Sequence, residues 1–329
     1  MSFVDLVIVG AGPVGLAAAL EAERLGLSGV VFEARRPAAS IEGFPARMPF
    51  FSEGRKIEIG GHPMAVLGAK PLREEALVYY RRIAERLRLT LVHRTRVTGL
   101  EGELGAFRVL FEGPRGPGEV WSRAVAVATG YFFNPRRLGV PGEELPWVRH
   151  GYRDALEHWG ERILVVGGSN SAVEAALDLW RAGARVTLVH RGPDVRPGVK
   201  YWLRPDFENR VREGAIRALF STRVLRFEPG RALVAGPGGE AALEVDRAVV
   251  LIGYRADDAL LRAAGARFAD GKPVLTDRFE TSVPGLFALG SAGYGEETRS
   301  VFIENGREHA RSAVGEIARR LRGTGGATE

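Results

Sequence analysis

Val4-Asp5-Leu6-Val7-Ile8-Val9 leads into Gly10-Ala11-Gly12-Pro13-Val14-Gly15, then a helical run to Gly26, then Val30-Val31-Phe32-Glu33. The order is strand, glycine-rich turn, helix, strand. The apolar run before Gly10 is continuous, as in a parallel strand buried on both faces. Gly10 allows a tight turn, Gly12 lets a pyrophosphate approach the backbone, and Gly15 lets the helix pack close to the strand. Free N–H groups at the helix start then face the phosphates. Glu33 closes the second strand about 20 residues on, where an acid bonds ribose hydroxyls. A G-x-G-x-x-G alone is a weak signal. With both strands, the helix and the terminal acid in place, it reads as a dinucleotide site.

The chain has 329 residues, 45% hydrophobic and 26% charged, a profile for two soluble domains. No apolar run is long enough to span a membrane, and the N-terminus lacks a basic n-region. A cytoplasmic protein with no membrane partner is expected. The absence of cysteine excludes disulfides, thiolate metal sites and a cysteine redox relay. No metal site is expected. Gln is absent and Asn scarce, which fits either a thermophile or a GC-rich genome. The net charge of +6 is mostly arginine. It reads first as a solvated arginine-rich surface and second as a preference for acidic partners. No basic stretch is interleaved with aromatics, so no nucleic-acid partner is expected.

Residues 37–70 are rich in Pro, Gly and Phe with little periodicity, and a long irregular segment is more often functional than not. Within it, Phe50-Phe51-Ser52 is either loop packing or a wall for a cofactor ring. Pro71 to Leu89 reads as an amphipathic helix, with Ala76, Leu77, Tyr80, Ile83, Ala84 and Leu87 on one face. Strands are expected at Leu89–Val92, Thr95–Leu100, Phe107–Phe111 and Val120–Ala128, with a turn cluster over Gly113–Gly118. Trp202–Val211 reads as loop and helix, Ala248–Tyr254 as a strand, and Arg299–Leu321 as a long final helix. The Gly/Thr-rich tail from Gly323 is expected to fray.

At residue 163 the chain repeats itself. Leu164-Val165-Val166-Gly167 aligns with Val7-Ile8-Val9-Gly10 at an offset of 157 residues. Without a gap, Gly15 falls on Ala172, Gly26 on Gly183 and Glu33 on His190. Two such units mean two nucleotide-binding domains. Their differences carry the chemistry. The second turn is Gly167-Gly168-Ser169-Asn170-Ser171-Ala172, with Ser169 in the place of the middle glycine. At the end of its second strand stand His190-Arg191, with Arg196 and Lys200 beyond. An acid there would repel a 2′-phosphate, whereas arginine binds it bidentately. The first site therefore suits an unphosphorylated adenosine such as FAD, and the second suits NADP(H).

The double fingerprint joins four further strings: Ala76-Leu77-Val78-Tyr79-Tyr80, Ala128-Thr129-Gly130-Tyr131, the Gly285–Gly290 run, and Phe302-Ile303-Glu304-Asn305-Gly306. Together they resemble the thioredoxin-reductase-like flavoproteins, and among these most nearly the bacillithiol-disulfide reductase family. The resemblance covers nearly the whole chain. It implies an α/β fold of two Rossmann-like dinucleotide-binding domains. A discontinuous FAD-binding domain would span 1–134 and 256–329, with an NADPH-binding domain at 135–255. It also implies hydride transfer from NADPH to FAD and on to an acceptor, in a homodimer or higher homo-oligomer. The flavin does the redox chemistry and the protein positions it.

Three departures qualify the resemblance. Thioredoxin reductases carry a Cys-x-x-Cys pair before the second fingerprint, and Arg149–Arg162 contains none. Bacillithiol-type relatives carry a cysteine where Val14 stands, so no mixed disulfide can form on this chain. The usual Gly-Asp at the flavin ribityl is Gly290-Ser291, as the aspartate is also lacking in the bacillithiol-type relatives.

The resemblance and the first fingerprint make Gly10, Gly12, Pro13, Val14, Gly15, Glu33 and Ala34 candidate cofactor contacts. Phe51, Ser52, Val97, Ala128, Thr129 and Gly130 join them, as do Gly290 and Ser291. Phe302 and Ile303, with Val301, would bring backbone N–H groups to the flavin N1–O2 edge. Gly167, Ser169, Asn170, Ser171, His190, Arg191 and Gly253 are the candidates of the second half. No residue qualifies as a protein nucleophile. His150 and His309 are read either as structural or as proton donors. The acceptor is expected to be a small-molecule disulfide. The rival enzyme is a ferredoxin- or flavodoxin-NADP reductase with an acidic carrier protein as partner. A non-enzymatic flavin- or nucleotide-sensing module is the third reading, although a sensor needs only one site.

Overall fold

Strand β1 (Phe3–Val9) leads through the turn at Gly10–Gly12 into helix α1 (Pro13–Arg24), and β2 (Gly29–Glu33) returns parallel to β1. Leu6, Val7 and Ile8 are fully buried, as the unbroken apolar run requires. The computed structural model describes residues 3–297 and 300–324. Its contacts divide the chain into two units. The first holds the residues up to Gly43, Arg47–Asn134 and those from Tyr254 on; the second holds Phe44–Ala46 and Pro135–Gly253.

In the first unit, residues 37–70 are irregular apart from two four-residue helices, α2 (Ala39–Glu42) and α3 (Gly54–Ile57). Helix α4 (Arg73–Arg86) follows, opened by the Leu72 N–H donating to Glu75 at 2.8 Å. It buries Ala76, Tyr80 and Ile83. Its two tyrosines pin the irregular segment. The Tyr80 hydroxyl donates to the Ile57 carbonyl at 2.6 Å, and Tyr79 accepts from the Ile59 N–H at 2.9 Å. Then come β3 (Thr90–His93), β4 (Arg96–Glu101), β5 (Phe107–Gly113) and β6 (Gly116–Val127). The expected turn over Gly113–Gly118 is shorter than its composition suggests. Gly113 pairs with Gly116, so only Pro114 and Arg115 turn, and Gly116–Gly118 continue as strand.

The second unit repeats the opening motif. After β7 (Val148–Arg149), β8 (Arg162–Val166), α5 (Asn170–Arg181) and β9 (Arg185–Val189) follow. The bounds of α5 are those of α1 displaced by 157 residues, so the sequence repeat is a structural one. Helix α6 (Arg204–Arg212) leads to β10 (Arg217–Leu219). An antiparallel meander of β11 (Arg223–Glu228), β12 (Arg231–Gly236) and β13 (Gly239–Glu244) precedes β14 (Arg247–Val250). The parallel sheet runs β10-β9-β8-β14-β7. Ile163 and Val165 pack with Val173, Leu177 and Phe207 of α5 and α6. Leu164 and Val166 pack with Phe227, Val234 and Leu243 of the meander. Alternate residues of one strand therefore feed two cores.

Back in the first unit are α7 (Ala259–Ala263), the short pair β15 (Phe268–Ala269) and β16 (Lys272–Pro273), β17 (Leu286–Ala288) and α8 (Ile303–Thr324). The seven-stranded sheet runs β3-β2-β1-β6-β5-β4, and β17 also pairs with β6. Strand β6 is long enough for β5 to take its first half, antiparallel, and β17 its end, parallel, at Leu286↔Val125. Helix α8 buries Ala310, Ala313, Val314, Ile317 and Ala318, a single apolar stripe of helical spacing. Near its end, Glu280 accepts both terminal nitrogens of Arg320, at 2.5 and 2.7 Å, and the Gly285 N–H at 2.8 Å. Of the expected final helix, Arg299 lies outside the described residues, as do residues 325–329 of the tail. No helix among the described residues is long and apolar enough to cross a membrane.

His309 lies on α8, only 6% exposed, with its ring stacked on Phe279 at 4.0 Å between centroids and facing Tyr294 at 5.7 Å. Its Nδ1 is buried with no partner among the described residues. Burial lowers its pKa below the ordinary histidine value. The folded state thus binds this proton less well than the unfolded chain, whose histidines titrate near 6.5. Linkage makes this group's effect nil well above that pH and destabilising as pH falls below it. His309→Phe keeps the ring stack and removes both the charge and the orphan nitrogen. Its melting temperature should equal or exceed that of the wild type at pH 7.5, and the margin should widen at pH 5.5. A margin independent of pH would place the acid sensitivity elsewhere.

Candidate functional site: two glycine turns

In the first turn Gly10 has φ +109°, and a Cβ there would lie 2.5 Å from the Ala128 carbonyl oxygen. A Cβ on Gly15 would lie 1.8 Å from the Gly10 oxygen. Neither position admits a side chain. Gly12 is different, because nothing lies within 4 Å of its ideal Cβ. Its missing side chain faces open space at the start of α1, where Pro13 occupies the first turn and no side chain caps the helix. The N–H groups of that turn lack intrahelical acceptors and form an anion-binding end.

Glu33 closes the same corner. Its carboxylate accepts from the Ala11 N–H and from the Arg35 N–H, both at 2.8 Å. Burial pushes its pKa up, and the two N–H bonds together with Arg35 and Arg96 oppose that. A carboxylate has about four lone-pair sites, so two remain for hydroxyl donors. Ala34 is exposed beside it. Val97 is only 5% exposed and belongs to the core with Phe32, Phe107 and Val125, so its side chain is not open to a ligand.

Around Val14 several distant strings of the first unit converge. Ideal Cβ atoms on Gly290 and Gly306 would lie 3.1 and 2.6 Å from Val14 Cγ2. The valine is wedged between two glycine backbones, and Ser291 follows Gly290. Beside the Gly10 turn, the Thr129 hydroxyl donates to the Asp257 carbonyl at 2.7 Å, and the Asp257 N–H returns a bond to Gly130 at 2.9 Å. Gly130 takes φ +76°. The Ser52 hydroxyl donates to Glu304 in the first turn of α8, which ties the Phe51-Ser52 loop to that helix. Phe51 and Phe302 are exposed. Asn305 Oδ1 accepts the Phe302 N–H at 2.7 Å, so that amide is already engaged. The following amides, of Ile303 and Glu304, are the first-turn donors that α8 presents. Sequence reading had no role for Asn305, Glu304 or Asp257. The signal for Asn305 was its place three residues into a helix, where a polar side chain reaches back to the cap amide.

The second turn reproduces the frame. Gly167 has φ +148°, with a Cβ site 2.4 Å from the Leu251 oxygen. Ser169 stands at the helix N-cap without capping it, although serine is a favoured cap. The first-turn donors of α5 are again left open, with Ser171 exposed. The Asn170 side chain is engaged within its own unit: its Oδ1 accepts the Lys200 N–H at 2.9 Å and its amide donates to the Gly198 carbonyl at 3.3 Å. The Arg196 N–H also donates to the Gly168 carbonyl at 2.7 Å. The loop after β9 is thus folded over the turn. Gly253 lies on the far side of β14, with φ +104° and its carbonyl accepting the Arg136 N–H at 2.9 Å.

His190, the counterpart of Glu33, lays its ring on Gly168, whose ideal Cβ would be 2.5 Å from the imidazole. Burial, then Arg196 and Arg191, lower its pKa. Arg191 is exposed, and neither it nor Arg196 has an ion-pair partner among the described residues. The nearby carboxylate of Asp194 is taken by Arg204 and the Val195 N–H. His150 is paired with the buried Glu143 at 3.0 Å. Glu143 also accepts the Leu138 and Gly139 amides, both at 2.8 Å.

The chain as a whole is similar to known proteins. The model of the pyridine nucleotide-disulphide oxidoreductase family matches residues 7–290. The bacilliredoxin reductase of Bacillus subtilis is 33% identical over 319 residues, covering 95% of this chain and 97% of that protein. The bacillithiol disulfide reductase of Bacillus cereus superposes with a TM-score of 0.93 at 33% identity, over 97% of this chain and 100% of that one. A ferredoxin–NADP reductase of Ignicoccus hospitalis is 28% identical over 296 residues, covering 87% of this chain and 89% of that protein. The expected thioredoxin-reductase-like fold and the likeness to bacillithiol disulfide reductases are borne out. Flavin and pyridine-nucleotide use follow from the family. The chain belongs to the pyridine nucleotide-disulphide oxidoreductase family, as a flavoprotein oxidoreductase that resembles the bacillithiol disulfide reductases.

Proposed function

We propose that this protein is a cytoplasmic, homo-oligomeric NADPH-dependent FAD oxidoreductase, with FAD in the unit built from both chain ends and NADPH in the other. The observation that carries the reading is the reversal of charge between two equivalent corners. Glu33 ends one repeat; unpaired Arg191 and Arg196 flank His190 at the end of the other. An acid favours bare ribose hydroxyls, and a pair of free guanidiniums favours a phosphomonoester.

When bound, the flavin supplies the redox chemistry, taking a hydride from the nicotinamide and passing electrons on. The chain's own residues hold and orient. The open first turn of α1 would cradle the FAD pyrophosphate, with Gly12 leaving room for it. Glu33 would accept the ribose hydroxyls, and Ser291 would bond the ribityl chain without adding charge. The amides at the start of α8 would face the flavin pyrimidine edge and favour the negative charge of the reduced ring. In the second unit, Asn170 would fix the basic loop, so that Arg191 and Arg196 meet the 2′-phosphate.

The acceptor is a low-molecular-weight disulfide in the first reading. With no cysteine in the chain and Val14 filling the space between Gly290 and Gly306, no protein thiol can carry the electrons. That same absence, with the net charge of +6, favours an acidic one-electron carrier such as ferredoxin as the second reading. A sensing module would not need two nucleotide turns. Mixing with NADPH under anaerobic conditions, followed by disulfides, ferredoxin or quinones, separates the three.

Acid precipitation of the purified yellow protein should release FAD and not FMN. Release of FMN, or of no flavin, removes the assignment of the first turn. The isolated chain with NADPH should leave thioredoxin disulfide oxidised, because no cysteine pair can relay electrons; thioredoxin reduction without an added carrier overturns this. Arg191→Ala should weaken NADPH and leave NADH nearly unchanged. A charge-assisted contact contributes about 1.5–3 kcal/mol, roughly tenfold to a hundredfold in binding. Sharing by Arg196 would put the loss at the lower end. Equal losses for both nucleotides would mean that Arg191 orients the loop and does not read the phosphate.

A further inference from the structure

Gln is absent from the chain and only four asparagines remain, Asn134, Asn170, Asn209 and Asn305. Asparagine is chemically labile, most of all where glycine follows, because glycine has no side chain to shield its amide nitrogen. Pro135, which follows Asn134, has no N–H at all, and Ser171 and Arg210 follow the next two. Asn305 alone precedes a glycine, Gly306. Its side chain is a tie at the start of α8: Oδ1 accepts the Phe302 N–H and Nδ2 donates to the Ser300 carbonyl, both at 2.7 Å. The Gly306 N–H donates to the Phe302 carbonyl at 2.9 Å. Gly306 is buried against Val14, with an ideal Cβ site 2.6 Å from Cγ2, while Asn305 is exposed to water. The most labile dipeptide of the chain therefore sits where α8 meets the start of α1, and these three hydrogen bonds hold it shut.

Resting on the FAD reading above, we propose that Asn305–Gly306 is a deamidation site gated by the flavin: it is spared while FAD is bound and reacts in chains that have lost it. The Gly306 nitrogen attacks Asn305 Cγ. The N–Cγ bond forms, the Cγ–Nδ2 bond breaks, and ammonia leaves with the proton of the Gly306 amide. Water then opens the cyclic imide at either carbonyl and leaves aspartate or isoaspartate; no oxidant or reductant takes part. Ring closure needs the residue before the glycine out of the helical conformation and the nitrogen free of its acceptor. The reaction thus reports opening of the first turn of α8. In the FAD reading the Ile303 and Glu304 amides of that turn face the flavin, so the turn opens only after FAD leaves. With FAD at about 100 times its dissociation constant, the open population falls about a hundredfold.

The product does not restore the tie. An aspartate side chain still accepts from the Phe302 N–H, but it cannot donate to the Ser300 carbonyl and sets a carboxylate against it. Its charge also stands beside the turn that the negative reduced flavin would use. Isoaspartate routes the main chain through Cγ and adds one carbon before Gly306, which displaces that glycine from Val14. A chain that spends long without FAD is thereby marked as one that rebinds it poorly. Asn170 and Asn209 have no such link to the flavin. They lie in the other unit, where Asn170 bonds Lys200 and Gly198 and Asn209 accepts from Arg212.

The test is peptide mass mapping of the full chain held at mildly alkaline pH, one half with excess FAD and the other stripped of it. Deamidation replaces ammonia by water, so the mass rise of the Asn305 peptide reads it directly. Asp270–Gly271 also forms isoaspartate by this chemistry, but with no change of mass. The stripped half should gain the mass at least about tenfold faster, approaching a hundredfold as FAD saturates the other half. A smaller ratio overturns the proposal, and this arm needs no variant. The Asn170 and Asn209 peptides should stay unchanged over the same time. Deamidation of Asn170 in step with Asn305 also overturns the proposal, because it would report global unfolding and not the opening of one turn. Asn305→Asp should bind FAD about tenfold more weakly, as expected for one lost hydrogen bond to a carbonyl left facing a charge; binding equal to that of the wild type removes the marking. If the protein takes up no FAD, the FAD reading itself fails and this inference falls with it. A protein that binds FAD and deamidates at the same rate with and without it keeps the first and loses the second.

Discussion

The first turn works because a helix starts in contact with the strand it leaves. A Cβ at Gly15 would sit 1.8 Å from the Gly10 carbonyl oxygen, and one at Gly10 would sit 2.5 Å from that of Ala128. These two absences bring α1 against β1 and β6 at once. They leave the amides of the first helical turn at the sheet's carboxyl end, where an anion can reach them. The second turn shows how much of this is negotiable. Gly167 is as constrained as Gly10, yet Ala172 stands for Gly15, and Ser169 stands for Gly12 without capping the helix. The strand-side glycine is common to both turns, while in the second turn the two later positions carry small side chains.

Convergence on Val14 is a second constraint of the same kind. Gly290 and Gly306 lie 276 and 292 residues along the chain from Val14, yet both give up a side chain to that valine. A larger group at either glycine would push the start of α8 away from the start of α1. The two helix ends that present free amides are thereby held in one place by one aliphatic side chain.

Much of the frame was readable because it is local. The 157-residue offset predicted the bounds of α5 from those of α1, since the same glycines, apolar periods and Gly26/Gly183 stops act over a few residues. Charge reversal at Glu33 and His190 was visible for the same reason. What stayed hidden depends on partners far along the chain. Asn170 reads as a ligand residue, and only the fold shows that its side chain also holds Gly198 and Lys200. Val97 sits on a strand whose alternation turns it inward. The reason for a glycine at 168 lies in a contact beyond the turn, where the His190 ring fills the place of the missing side chain. The turn at Gly113–Gly118 was overread because glycine and proline are tolerated at a hairpin's end, where Gly113 faces Gly116.

The route of the chain through β6 bears on how the protein is made. One edge of β6 waits for β17, and the first turn of α1 waits for Gly290 and Gly306, so residues 286–306 must exist before that unit closes. The Pro135–Gly253 segment, by contrast, has its own parallel sheet and both of its cores within reach. During synthesis from the N-terminus, domains generally fold as units in the order they become complete. The inner segment is complete first, while the earlier-made strands carry an open sheet edge across about half of the translation time. Such an edge is a template for pairing with other chains. The chain's beginning is therefore the part most exposed to misassembly on the ribosome, and β17 is the element that ends that exposure.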